Sequence, residues 1–218
     1  EDVRSGSGGS FPSILTVSGD YLYFKLFTPL LGNELWRYDE ESIKLVKDVN
    51  PEASKSSGIQ SMIDVGGILY FEAYVSLDGS NYLELWRSDG TLAGTYKVEE
   101  INPAGSGVFF SKKVNVDGSL YFIANDESNI KQLWKINELG KPISAITDII
   151  ACGDHCFLSG RSGNNGQELW KIDNSISTSF QITTLKESYP NGIGYMDAQI
   201  HEDQLYFIDS ERRIWRTD

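Results

Sequence analysis

Apolar and polar residues alternate along this chain in short runs, and no run sustains the 3.6-residue spacing of a helix face. Turn residues interrupt it roughly every 8–12 positions, the rhythm of short antiparallel strands. The clearest stretch predicts strands over residues 59–65, 68–74, 83–88 and 95–101. They are stopped by Gly66-Gly67, by a loop at 76–82, by Asp89-Gly90 and by Asn102-Pro103. Asp-Gly and Gly-Gly supply the positive φ angles of tight hairpins, so these four strands form one antiparallel sheet. The same pattern predicts strands at 11–17, 21–27, 34–38 and 43–49, then at 109–116, 119–124 and 131–136. It continues at 156–159, 167–172 and 180–185, and at 195–201, 204–208 and 212–216.

Two markers recur with this pattern. One is Leu-Tyr-Phe, ending at Phe24, Phe71, Phe122 and Phe207, with a weaker His155-Cys156-Phe157. The other surrounds every tryptophan: ELWRYD at 34–39, ELWRSD at 84–89, QLWKIN at 132–137, ELWKID at 168–173 and RIWRTD at 213–218. The marker phenylalanines lie 47, 51, 35 and 50 positions apart. A period near 50 with several short strands per unit is that of a β-propeller blade. The expected fold is therefore all-β: a five-bladed propeller, mostly of four-stranded blades, forming one domain over 1–218. Its blades span about 11–49, 59–101, 109–140, 143–185 and 195–218, the last joined by residues 1–3.

Only 23 positions separate Trp134 from Phe157, against 35 to 37 in comparable intervals, so about one strand is missing there. Losing an inner strand would open the central wall, whereas losing an outer one only exposes an edge. The segment 143–151 is therefore assigned to the fourth blade, and the third blade is expected to have three strands. The chain starts in phase with the end of a fourth strand and stops after a third. Either the two ends close a ring, or the chain is cut from a longer array.

A tryptophan in mid-strand is suited to filling space between neighbouring sheets. That role is expected for Trp36, Trp86, Trp134, Trp170 and Trp215, with sugar stacking as the alternative. The base one position after each tryptophan and the acid or amide three after it share a strand face, which predicts an ion pair or a turn cap. The loops between second and third strands vary most, and variable loops on a rigid scaffold are where recognition sits. Their oxygen-bearing residues Asp78, Asn81, Asp126, Glu127, Asn164 and Asn165 are candidates for holding hydroxyl-rich ligands, and Asp78 and Asp126 for calcium. None follows the EF-hand pattern, and no other metal or cofactor is implied. Gly160-Arg161-Ser162-Gly163 is not a nucleophile elbow, and His155 and His201 lie too far apart in sequence to suggest a Ser/His/Asp arrangement. No catalytic residue is assigned, although 31 acids leave room for a carboxylate pair.

A formal charge of −12 argues against nucleic acid or anionic lipid as partner. No apolar run is long enough to span a bilayer. The cysteines lie in Cys152-Gly153-Asp154-His155-Cys156, where a hairpin with a three-residue turn would place them opposite each other, ready for a disulfide. Two free thiols are the alternative, and zinc lacks a fourth ligand.

The unit ELWRSDGT with Ala93-Gly94-Thr95, the upstream Leu-Tyr-Phe, and the text from Ile101 to Ser106 together resemble the ELWxxDGT repeat family. The resemblance covers nearly the whole chain, though Gly90 and Thr91 have no counterpart after Asp39, Asn137 or Asp173. It implies a propeller-like secreted or surface protein and brings no catalytic residues. The expected function is a non-catalytic extracellular binding or structural module, contacting protein or glycan through one face. Self-assembly or membership of a larger surface assembly fits this role. The alternatives are a lectin with sugar pockets between blades and a glycoside-acting enzyme with a central carboxylate pair. Tryptophan faces open to solvent would favour the lectin. Buried tryptophans with exposed apolar patches would favour the scaffold.

Overall fold

A computed structural model describes residues 9–51, 55–77, 80–98, 110–125, 131–136, 138–139, 148–161, 167–173, 183–184, 198–208 and 212–216. Among them all regular structure is β-strand, arranged in five antiparallel sheets whose strands follow chain order. The first sheet holds β1 (Ser13–Ser18), β2 (Tyr21–Thr28), β3 (Gly32–Tyr38) and β4 (Ile43–Lys47). The second holds β5 (Met62–Val65), β6 (Ile68–Leu77), β7 (Ser80–Ser88) and β8 (Tyr96–Lys97). The third holds β9 (Phe110–Val116), β10 (Ser119–Asn125), β11 (Lys131–Lys135) and β12 (Glu138–Leu139). The fourth holds β13 (Asp148–Cys152), β14 (His155–Arg161), β15 (Gln167–Asp173) and β16 (Thr183–Thr184). The fifth holds β17 (Ala198–His201), β18 (Gln204–Ile208) and β19 (Ile214–Arg216). The first two sheets lie in one compact unit, Glu1–Val108, and the other three in a second, Phe109–Asp218.

Several expectations are corrected. The third sheet has four strands rather than three, because Glu138–Leu139 turns straight back onto Trp134 and Lys135. A two-residue strand is too short to register as alternation. The segment assigned to the fourth blade does supply its first strand, β13. The predicted loop 76–82 is mostly ladder: Ser76 pairs with Asn81 and Leu77 with Ser80.

The repeat markers meet across strands. Phe24 lies opposite Trp36, Phe71 opposite Trp86, Phe122 opposite Trp134, and Phe207 opposite Trp215. In the fourth sheet Leu158, not Phe157, faces Trp170. The marker there is therefore Cys156-Phe157-Leu158, one residue further on than the sequence suggests, with leucine in place of the phenylalanine.

Alternate side chains of a strand point to opposite faces, and this gives the packing inside each unit one rule. In the first unit Tyr23, Leu35 and Val46 of the first sheet pack against Leu69, Phe71, Ala73 and Trp86 of the second. In the second unit Val116, Tyr121, Ile123 and Leu133 meet Ile149, Cys156 and Leu158. Cys152, Phe157 and Leu169 then meet Leu205, Phe207 and Trp215. In each of these three seams the earlier sheet contributes the middle residue of its marker and the leucine before tryptophan, and the later sheet contributes the first and last residues of its marker. Trp86, 8% exposed, and Trp215 lie in these seams. Trp36 and Trp134 are half-buried, the latter stacked on Phe122 and donating its indole N–H to Ala124 O at 3.2 Å. The side chain of Trp170 lies outside the described residues.

Candidate binding groove and the turns that build it

The polar residues of the tryptophan motif act locally. Asp89 accepts hydrogen bonds from the Thr91 N–H at 2.9 Å and the Thr91 hydroxyl at 2.7 Å. These bonds hold its carboxyl below the usual carboxylate range. The Gly94 N–H donates to Thr91 Oγ1, and the Thr95 hydroxyl to Thr91 O. Ser88 and Thr95 share a hydrogen bond at 2.7 Å, and the Gly90 N–H donates to Ser88 Oγ at 3.0 Å. The Ser-Asp-Gly-Thr…Gly-Thr text is thus one self-capped turn between β7 and β8. Gly90 sits at φ +89°, and a Cβ there would run into the Tyr21 ring and the Tyr23 hydroxyl of the first sheet, so a side chain has no room. Burial beneath this turn pushes the Tyr23 phenol up to about 12.

The first sheet lacks that text, and its turn is different. Lys44 Nζ donates to Asp39 Oδ2 at 2.7 Å and the Ser42 N–H to Asp39 Oδ1 at 3.0 Å, with Arg37 at 3.6 Å. Led by the lysine bond, these contacts lower the Asp39 carboxyl to about 2. Glu40 stands where the second repeat has Gly90 and takes φ +68°. The Tyr38 hydroxyl donates to Glu40 O at 2.8 Å. Beside this turn lies a cavity of about 680 Å³ lined by Val17, Gly19, Asp20, Tyr21, Leu22, Tyr38, Asp39 and Glu40. Val17, Leu22 and Tyr38 share one face of the sheet by register. Val17 is 68% exposed and Tyr38 38% exposed. Arg37 lies 4.0 Å over the Tyr21 ring. The groove combines apolar walls, one accessible phenol ring and three carboxylates. It suits an apolar group carried next to a cation or next to hydroxyls.

Of these groove residues Leu22, Tyr38 and Asp39 belong to the repeat markers, but none stands out in the sequence as a binding residue. The available signal was the loss of Gly-Thr after Asp39, which marks a turn built differently from its counterpart. Of the sequence candidates, Asp78, Asp126, Glu127, Asn164 and Asn165 lie outside the described residues. Asn81 is placed only as a ladder residue of β7. The described residues hold no group of three or more His, Cys, Asp or Glu arranged for a metal ion. Among the described residues no helix is long and apolar enough to cross a membrane.

The disulfide is corrected. The hairpin turns on two residues, Gly153-Asp154, so Cys152 pairs with His155 and Cys156 with Ala151. The two thiols therefore face opposite sides of the sheet, in two different apolar clusters, and both are free. Burial pushes the Cys156 thiol up to about 12 and raises that of Cys152. His155 Nδ1 lies 2.9 Å from Asp154 Oδ1, and its ring meets Phe157 edge-on.

No family model matches the chain, and no curated protein does. Solved structures do resemble it. A puromycin hydrolase variant complexed with PGG gives a TM-score of 0.53 at 15% identity, covering 99% of this chain and 38% of that one. A second puromycin hydrolase structure gives 0.50 at 15% identity, covering 100% and 38%. TolB from Acinetobacter baumannii gives 0.44 at 15% identity, covering 90% and 50%. The chain thus spans 38% of the length of either puromycin hydrolase. At this identity the likeness concerns fold alone, and the fold is all-β and of the β-propeller kind.

Proposed function

We propose that the five sheets are five blades of one propeller closed by its two ends. In this proposal the molecule is a non-catalytic extracellular binding or structural module that meets a protein or a glycan through the groove on the first sheet. Closure is argued from the phase of the repeats, residues 1–8 being outside the described ones. The observation that carries the functional proposal is the division of labour among aromatics. Trp86 is buried in a seam and Trp215 packs into another, while Val17 and Tyr38 leave apolar surface open beside a cavity. Indoles committed to packing are poor sugar platforms, and an exposed apolar patch with a polar rim marks a contact surface. The acids and hydroxyls of the motif are likewise engaged in their own turns, as at Asp39 and Asp89. The extracellular placement rests on the acidic composition and the repeat resemblance, without help from a disulfide.

The test is a glycan array read with and without a calcium chelator, beside capture of basic and neutral peptide ligands. Peptide binding that Tyr38→Ala weakens about tenfold, with a silent array, supports the proposal. Sugar binding lost with chelator but indifferent to Tyr38→Ala would transfer the function to the calcium-candidate loops. Cleavage of any arrayed glycan would overturn the non-catalytic assignment.

A further inference from the structure

The groove of the first sheet is held in shape by its own neighbours. Arg37 lies 4.0 Å over the Tyr21 ring, and the Tyr23 ring meets it edge-on with ring centres 5.9 Å apart. At Gly90 of the second sheet a Cβ would already run into the same ring. Tyr38 is anchored by its hydroxyl, which donates to Glu40 O at 2.8 Å. Val17 pairs with Leu22 and Leu22 with Tyr38, so two aliphatic side chains and a phenol ring form one apolar wall. A preformed cavity with apolar walls loses little order when it is filled.

The rim is unbalanced in a way that selects what can fill it. Around the cavity the acids are Asp20, Asp39, Glu40 and Glu41, and the bases are Arg37 and Lys44. Both bases are committed to Asp39, at 3.6 and 2.7 Å. The carboxylates of Asp20 and Glu40 line the cavity and make no ion pair or side-chain hydrogen bond among the described residues. The rim therefore offers charged acceptors in excess of charged donors. A sugar hydroxyl both donates and accepts, whereas an ammonium or guanidinium only donates. A cation is also attracted to the face of a phenol ring. The aliphatic stem of a long basic side chain covers apolar surface while its head stays at a polar edge.

We propose that the groove takes a basic side chain of a protein partner, its stem along Val17, Leu22 and the Tyr38 ring and its charge at the Asp20 and Glu40 carboxylates. This rests on the groove being the contact surface and adds the chemistry of the group that fills it. Asp39 serves as a positioning residue: with Lys44 and Ser42 it holds the turn that presents Glu40.

The experiment titrates capped pentapeptides Ala-Leu-X-Leu-Ala into the whole chain, with X lysine, arginine or norleucine, and maltose beside them. It is read by NMR at Val17 and Tyr38 in about 50 mM NaCl, where charges are weakly screened. Norleucine keeps a stem and removes the charge. The basic peptides should bind about tenfold more tightly than the norleucine peptide, and the difference should vanish in the double variant Asp20→Asn, Glu40→Gln. Both positions are exposed, and the Tyr38 bond goes to the Glu40 backbone, so the variant keeps the turn. Equal binding of basic and norleucine peptides, or maltose binding more tightly than any peptide, overturns the cationic ligand. Where Tyr38→Ala weakens that binding, the groove still stands as the contact surface. An absence of binding, or binding indifferent to Tyr38→Ala, overturns the groove and this proposal with it.

Discussion

Gly90 shows how one residue of the repeat couples a turn to the neighbouring sheet. Its φ of +89° lies in the left-handed region, and a Cβ there would enter the rings of Tyr21 and reach within 2.9 Å of the Tyr23 hydroxyl. Gly66 has a similar φ of +62° but nothing within 4 Å of its would-be Cβ. The two positions separate conformational strain from steric exclusion. Gly66→Ala should cost about 1–2 kcal/mol, the left-handed penalty alone. Gly90→Ala adds overpacking and should cost about 2–5 kcal/mol. Urea midpoints of the two variants check this, and equal losses would mean that the Tyr21 ring simply swings away. The contrast also explains Glu40, which tolerates φ +68° where the turn has lost its glycine. That residue's turn is held by Asp39 and Lys44 instead.

At the level of elements, the strand pair carrying phenylalanine opposite tryptophan is the unit that stacks. Trp86 belongs to the cluster of Tyr23, Leu35, Leu69 and Phe71 and also lies 5.7 Å from Lys47 Nζ. Trp134 stacks on Phe122 but is only half-buried. Trp86→Ala should therefore cost about 3–5 kcal/mol, the range for emptying a buried aromatic site, and Trp134→Ala distinctly less. Chemical denaturation measures both, and the reverse order would dissociate the indoles from the seams. Most of this element structure was legible in the chain, because alternation with period two and Gly-containing turns are local signals. What escaped depended on register. The Cys152-to-Cys156 hairpin turns on two residues rather than three, and that single residue moves the two thiols to opposite faces. The same slip displaced the fourth marker from Phe157 to Leu158. The groove escaped for another reason: Val17 and Asp20 carry no motif, Tyr38 stands in the sequence only as part of a repeat marker, and only the strand pairing brings the two stretches together.

For the whole molecule, a charge of −12 biases the choice of partner at the groove. Asp20, Asp39 and Glu40 rim apolar walls, and Asp39 is already paired with Lys44 at 2.7 Å, so the rim's field is moderate rather than intense. At physiological salt such fields fade over about 8 Å, and rim charges act mainly on encounter and specificity. The two partner classes therefore respond differently. A basic peptide seated on Tyr38 should lose about tenfold in affinity between about 50 and 500 mM NaCl, mostly through slower association. A neutral glycan stacked on the same ring should change less than about twofold, since its contacts involve no net charge. Tyr38→Ala should weaken either by about tenfold, roughly 1.4 kcal/mol, because the ring supplies area to both. Titration across salt, in wild type and in Tyr38→Ala, thus reports both the site and the class of ligand from one data set. Binding that is steeply salt-dependent yet indifferent to Tyr38→Ala would place the contact on another acidic surface and remove the groove from the function.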